Sequence, residues 1–261
     1  METNWRLAHP AIAGNRSVRA TGGNPPALEA RPDGPARRLA GAFGSLHPAL
    51  VFLVTMLGGF FLIIGLSICL GLLATHVLTG ISGEHVDVWL SHHRTPARTD
   101  ASLIGSIGAG GVVLPIVVGV VALVCLLFRK WRIAAFMVFA LAVESGTYRA
   151  TTLVIHSHRP RVARLEHLPV NASYPSGHTA ASLAVYGGLA LLLSSWFPNR
   201  WVRIVAWSLV VLIVAFVATS RMYRGMHHPI DVVGGLAVGI AALCVVVFAC
   251  RTAGAAAEAR S

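Results

Sequence analysis

Three histidines, two arginines and a carboxylate stand beside apolar stretches in three short segments. These are His158-Arg159-Pro160, then Pro175-Ser176-Gly177-His178, then Ser220-Arg221 followed by His227 and Asp231. Together they could hold a phosphate and attack it. That chemistry needs a nucleophile, a proton for the leaving oxygen, and positive charge around the phosphoryl oxygens. His227 is the candidate nucleophile. Asp231 follows it by one helical turn and could accept from one imidazole nitrogen, leaving the other free. His178 is the candidate general acid, and afterwards the base that activates water. Pro175-Ser176-Gly177 would open a helix whose first N–H groups favour an anion, with Gly177 allowing close approach and the Ser176 hydroxyl adding a donor. Serine is also a common N-cap, which accounts for Ser176 but not for His178. Arg159 and Arg221 are the candidate phosphate clamps, because guanidinium forks match phosphate oxygens in pairs.

The three segments resemble the signature of the type 2 phosphatidic acid phosphatase superfamily, membrane lipid phosphate phosphatases that share a core with vanadium haloperoxidases. The family pattern is Lys, six residues, Arg-Pro; then Pro-Ser-Gly-His; then Ser-Arg, five residues, His, three residues, Asp. The second and third blocks match in full. The first keeps Arg159-Pro160 but has Thr152 at the lysine position, and Lys130 is the only lysine in the chain. Arg149, three residues earlier and on a similar helix face, is the candidate replacement for that cation. The family spacing selects His227 over the adjacent His228.

The elements that must position these residues are apolar. Of 261 residues, 55% are hydrophobic and 12% charged, which points to a membrane protein rather than a soluble globule. A net charge of +11 is weak support for nucleic-acid binding, because the arginines do not form one aromatic-interleaved stripe. Residues 1–47, rich in Gly, Pro, Ala and Arg, read as a disordered basic cytoplasmic tail near anionic lipid, without a signal peptide. Cys69, Cys125, Cys244 and Cys250 read as small apolar residues in helices, with neither disulfide nor metal spacing.

Six segments approach or exceed the roughly 20 residues that cross a bilayer as helix. They fall at about 49–75, 103–128, 133–155, 177–197, 202–221 and 230–250, giving an all-α bundle of six transmembrane helices over residues 48–251. Residues 252–261 read as a short C-terminal tail. Basic residues at Arg129-Lys130, Arg132, Arg200, Arg203 and Arg251 put both termini in the cytoplasm and all three motif segments outside, in a plasma membrane. The 76–102 connection, with His85, His92, His93, Arg94 and Arg98, reads as a solvated loop, or alternatively a lid. Arg161, Arg164 and Arg224 read as interfacial anchors or lipid-headgroup contacts. Glu144 is an intramembrane acid that should face the bundle interior with a partner, as a structural pin or a support to the site.

The resemblance implies dephosphorylation of an amphiphilic phosphate through a phosphohistidine; no metal or cofactor is expected, because no Cys/His/carboxylate cluster has metal spacing and arginine would handle the bound charge. The substrate it implies is an isoprenyl diphosphate such as undecaprenyl diphosphate, with phosphatidic acid or phosphatidylglycerophosphate as alternatives. Phosphate transfer to another acceptor and non-catalytic lipid binding are further readings. A haloperoxidase fits poorly with a core embedded in membrane helices. The expected partners are the lipid substrate and the bilayer, and not nucleic acid. Oligomeric state is not legible.

Overall fold

The computed structural model describes residues 25–78 and 83–261 of the chain. They are almost wholly helical. After a 3-10 turn at Pro26–Leu28 come α1 (Pro35–Ala42), α2 (Pro48–Leu72, continued by a π-helical turn to Val77), α3 (Glu84–His92), α4 (Pro96–Gly108) and α5 (Val113–Leu127). Then follow α6 (Trp131–Val154), α7 (Gly177–Trp196), α8 (Arg200–Tyr223) and α9 (Pro229–Glu258).

Among the described residues, α2, α6, α7, α8 and α9 are each long and apolar enough to cross a membrane, and the α4–α5 pair makes a sixth candidate span. Their starts follow local chemistry. Proline opens α1, α2, α4 and α9, where its missing N–H costs nothing. Thr95 and Asn199 cap α4 and α8 by accepting from the Arg98 and Trp201 N–H groups.

The bundle core lies between α2, α6, α7 and α9, where Met56, Phe136, Met137, Val185 and Val246 are buried. The outward side chains are apolar too, as with Leu62 and Val211, so the surface suits lipid. Backbone proximity holds α7 against α9. A Cβ on Gly235 would lie 2.4 Å from the Ser176 carbonyl oxygen, a clash only glycine avoids. The C-terminal ends of α6 and α8 and the N-terminal ends of α7 and α9 therefore meet at one end of the bundle, where the three motif segments sit.

Four expectations are corrected. Residues 25–47 are not a structureless tail. Leu28 is fully buried in the core, the small face of α1 packs Ala40 on Ala255 and Ala256, and Arg37 pairs with Glu258 at 2.5 Å. An Ala/Gly/Pro-rich composition masked this contact because alanine pairs bury little area yet pack closely; residues 1–24 lie outside the described residues. The expected span 103–128 is two helices bent by 43°, broken where Gly110-Gly111 weakens the helix. The C-terminal tail is helical as far as Glu258, as a continuation of α9.

The 76–102 connection is not simply solvated. It carries α3 and the start of α4, and Arg94 anchors it to the bundle by donating to the Tyr223 carbonyl at 2.8 Å and the Ala163 carbonyl at 2.7 Å.

Candidate active site

At the motif end the helices surround a cavity of about 340 Å³. His227 and His178 line it, with Arg159, Arg221, Gly177 and Arg149. Below them the wall turns apolar, with Leu114, Pro115, Leu141 and Ala181 from α5, α6 and α7. The break between α4 and α5 contributes Ala109, Gly110 and Gly111.

His227 is buried, in the turn between α8 and α9. Its Nδ1 lies 2.7 Å from the Ser173 carbonyl oxygen. A carbonyl only accepts, so Nδ1 carries the proton and Nε2 keeps a free lone pair. Asp231 does not make that contact, as the one-turn spacing suggested. Its Oδ2 is 3.9 Å from Nδ1 and instead accepts from the Ser173 hydroxyl at 2.6 Å and the His228 N–H at 2.8 Å. Asp231 thus organises the residues that hold His227. The geometric reason is that Asp231 occupies the third position of α9, where its carboxylate folds back on the N-cap backbone. Burial, then the charges of Arg221, Arg159 and His178, push the His227 pKa well below its usual value, so the ring is neutral.

His178 occupies the first turn of α7, and its N-cap is Ser176. Ser176 is fully buried, with its hydroxyl 2.9 Å from the Thr179 hydroxyl and its N–H donating to the Asp231 carbonyl at 2.9 Å. The second of these bonds ties the start of α7 to that of α9. The side chain of Ser176 is therefore taken up by Thr179, and it is Gly177 that lines the cavity.

The two arginines differ. Arg159 donates to the carbonyls of Pro169, Ala172 and Met226, and so fastens the 155–176 connection over the site. Three of its five N–H donors are spent, leaving two. Arg221 is fully buried. Its Nη1 donates to Ser106 Oγ at 2.5 Å and to both Glu166 oxygens at 2.8 and 2.9 Å. Its Nε and Nη2 have no protein partner.

Glu166 was invisible to motif reasoning. It bridges Arg221 and Arg224, accepting from Arg224 Nε at 2.6 Å. Burial would raise its pKa, but the Arg221 charge and the hydrogen bonds from Arg221, Ser106 and Arg224 bring it to about 2. Arg224 is accordingly no interfacial anchor: it is buried on Glu166, Ser102 and the Leu165 carbonyl. Two arginines three residues apart at the end of a helix, facing a lone acid in a loop, were the available signal.

Thr152 does not reach the cavity; its hydroxyl donates to the Arg149 carbonyl on its own helix. Arg149 does reach it. Glu144 faces the interior and lines the deeper wall, where its Oε2 accepts from Ser145 Oγ at 2.9 Å. His228 is turned away and paired with Asp87. Among the described residues no group of three or more His, Cys, Asp or Glu side chains could hold a metal ion.

Residues 133–253, which include every lining histidine and arginine, match the PAP2 superfamily. The chain carries a PAP2 superfamily domain. It is 39% identical over 95 residues to an undecaprenyl-diphosphatase of Bacillus subtilis, covering 34% of this chain and 43% of that one. It is 33% identical over 116 residues to an undecaprenyl-diphosphatase of Sulfolobus acidocaldarius, covering 42% and 51%. The chain thus spans about half the length of these curated relatives. The fold of the PAP2 domain and its flanking helices is also that of a crystal structure of a transmembrane PAP2 type phosphatidylglycerolphosphate phosphatase from Bacillus subtilis. That match has TM-score 0.60 at 21% identity and covers 76% of this chain and 93% of the other.

Proposed function

We propose that this protein removes phosphate from a membrane-embedded amphiphile, that the substrate is an isoprenyl diphosphate, and that the reaction proceeds through a phosphohistidine on His227. One observation carries the reading. Arg221, whose buried Nε and Nη2 have no protein partner, lines the cavity that also holds His227 and His178. A buried donor pair of this kind costs stability unless a ligand satisfies it, and a phosphate offers the matching oxygens.

In the proposed reaction, His227 Nε2 attacks phosphorus. The P–N bond forms as the bond to the leaving oxygen breaks, and His178 gives that oxygen a proton. His178 then takes a proton from water, which attacks phosphorus and breaks the P–N bond. Arg221, the two remaining donors of Arg159, and Arg149 hold the phosphoryl oxygens, with the first N–H groups of α7 beside them. Arg149 supplies the cation that Thr152 does not. The charge is carried by arginine, so the proposed mechanism calls on no metal. The apolar lower wall takes the start of the lipid chain.

In the proposed topology the site end faces outward; the support is the basic group Arg129, Lys130, Arg132, Arg200 and Arg203 at the opposite end, with Arg159 and Arg221 at the site end accounted for by the phosphate site. The two undecaprenyl-diphosphatase relatives support the isoprenyl substrate. The test is phosphate release by detergent-purified protein given undecaprenyl diphosphate and phosphatidic acid in parallel, with and without chelator, beside His227→Ala. The expected result is chelator-resistant release from the diphosphate that vanishes in the variant. Faster release from phosphatidic acid would reassign the substrate. Silence on a wider phosphate panel would favour lipid binding without catalysis.

A further inference from the structure

Helix α3 is fastened to the turn that carries His227. Asp87 is fully buried, and its Oδ2 lies 2.5 Å from His228 Nδ1. Next to it, Gly83 caps α3 at φ +85, and a Cβ there would stand 2.5 Å from Pro229 Cγ. Glycine therefore lets the start of α3 seat directly on the first residue of α9.

The contact does not end at His228. The His228 N–H donates to Asp231 Oδ2 at 2.8 Å, and the same oxygen accepts from the Ser173 hydroxyl at 2.6 Å. The Ser173 carbonyl in turn accepts from His227 Nδ1 at 2.7 Å. A hydrogen-bonded series thus runs from an external helix to the imidazole in the cavity. No α3 residue lines that cavity, so α3 reaches the site at one remove, and this series is its hydrogen-bonded route to His227.

We propose that the Asp87–His228 pair is a positioning device for the phosphoryl transfer, in which Asp87 acts through His228 to hold residues 227–231 with His227 Nε2 facing phosphorus. This rests on the phosphatase reading above. Asp87 touches no reacting atom in this scheme, so its loss slows the chemical step and leaves substrate binding nearly intact.

The pair is also built to respond to pH. Burial would lower the His228 pKa, but the Asp87 hydrogen bond and the charges of Asp231, Asp87 and Glu84 raise it. Burial raises that of Asp87, against the pull of His228 and His85 and with the push of Glu84. A His whose pKa is raised loses its proton at a higher pH than an ordinary imidazole does. The pair is then broken from the alkaline side.

The experiment measures kcat, KM and the kcat–pH profile for wild type, Asp87→Asn, Asp87→Glu, His228→Asn and the Asp87→Asn/His228→Asn double variant. Asp100→Asn, which removes an exposed carboxylate from α4, serves as control. The expected loss in Asp87→Asn is about tenfold in kcat, the low end for a supporting residue, with KM within twofold. Asp87→Glu recovers most of it, the double variant is no slower than His228→Asn, and the alkaline limb of the Asp87→Asn profile moves to lower pH. Asp87→Asn within twofold of wild type in kcat, or losses that multiply in the double variant, would overturn the proposal. If Asp87→Asn does not purify as a single species, the wild-type alkaline limb and Asp87→Glu carry the same test. Wild-type protein that releases no phosphate at all would overturn the phosphatase reading instead.

Discussion

The Ser173 carbonyl, and not the Asp231 carboxylate, accepts the hydrogen bond from His227, at 2.7 Å against 3.9 Å. This decides how much the carboxylate is worth. Where an aspartate sits directly on a catalytic imidazole, making it an amide imposes the wrong tautomer and costs about 10⁴-fold in kcat. Here a backbone carbonyl fixes the tautomer whatever stands at 231. Asp231→Asn is therefore expected to cost roughly 10–100-fold, the range of a group that orients another. His227→Ala is expected to abolish turnover. Single-turnover phosphate release on both variants checks the ordering, and equal losses would mean that Asp231 moves onto the ring when substrate binds.

Glu166 should matter more to stability than its absence from the motifs suggests. It is the carboxylate partner shared by the two buried arginines Arg221 and Arg224. Removing one partner of a buried pair costs about 3–5 kcal/mol, because the remaining charge is uncompensated. Glu166→Gln is expected to lower the unfolding temperature in detergent. The pH sign follows from its pKa, about 2 in the fold against an ordinary 4.5. A depressed carboxylate stabilises above its unfolded pKa, and that contribution is lost as pH falls from about 4.5 to about 2. The acid-induced loss across that window should be smaller in Glu166→Gln. Identical acid curves would show that Glu166 is not what holds Arg221.

Much of this was legible in the sequence, and the failures share a cause. Apolar content and length found the spans because a bilayer demands long apolar runs. The motif spacing picked out His178, Arg159, Arg221 and His227, which the structure brings to one cavity because helix ends and their connections converge at that end of the bundle. What escaped were contacts between segments far apart in the chain: Glu166 with Arg221, Asp87 with His228, and Ala40 with Ala255 and Ala256. None has a local pattern, since an acid in a loop looks the same whether it meets water or a buried arginine. The break at residues 109–112 escaped for a different reason, as two glycines in an apolar run still sum to a spanning hydropathy.

Arg149 and Thr152 make a direct comparison. Arg149 lines the cavity, whereas Thr152 turns its hydroxyl to the Arg149 carbonyl. If Arg149 clamps the phosphate, Arg149→Ala loses a charge-assisted hydrogen bond worth about 1.5–3 kcal/mol, or roughly 10–150-fold in kcat/KM. Arg149→Lys should recover part of it, because the charge survives but the paired fork does not. Thr152→Ala should change nothing beyond twofold. Steady-state kinetics on the three variants would reject the assignment if Thr152→Ala were the damaging one.

The helix break forms the remaining wall. Gly110 and Gly111 border the cavity where α4 ends and α5 begins, above Leu114 and Pro115. A Cβ on Gly111 would meet no atom within 4 Å, so a larger side chain there enters open space rather than the protein core. If the lipid chain leaves the cavity past this break, a bulky residue at 111 obstructs the chain but not the phosphate. Gly111→Trp is then expected to raise KM for a long isoprenyl diphosphate by about tenfold, near the 1–3 kcal/mol that a pocket gains or loses on small changes in apolar fit. A short, water-soluble diphosphate should be hydrolysed at close to the wild-type rate. Comparing kcat/KM for the two chain lengths separates the cases. Equal losses on both would mean that the Gly111→Trp substitution disturbs the phosphate site itself, and no loss on either would place the chain on another side of the bundle.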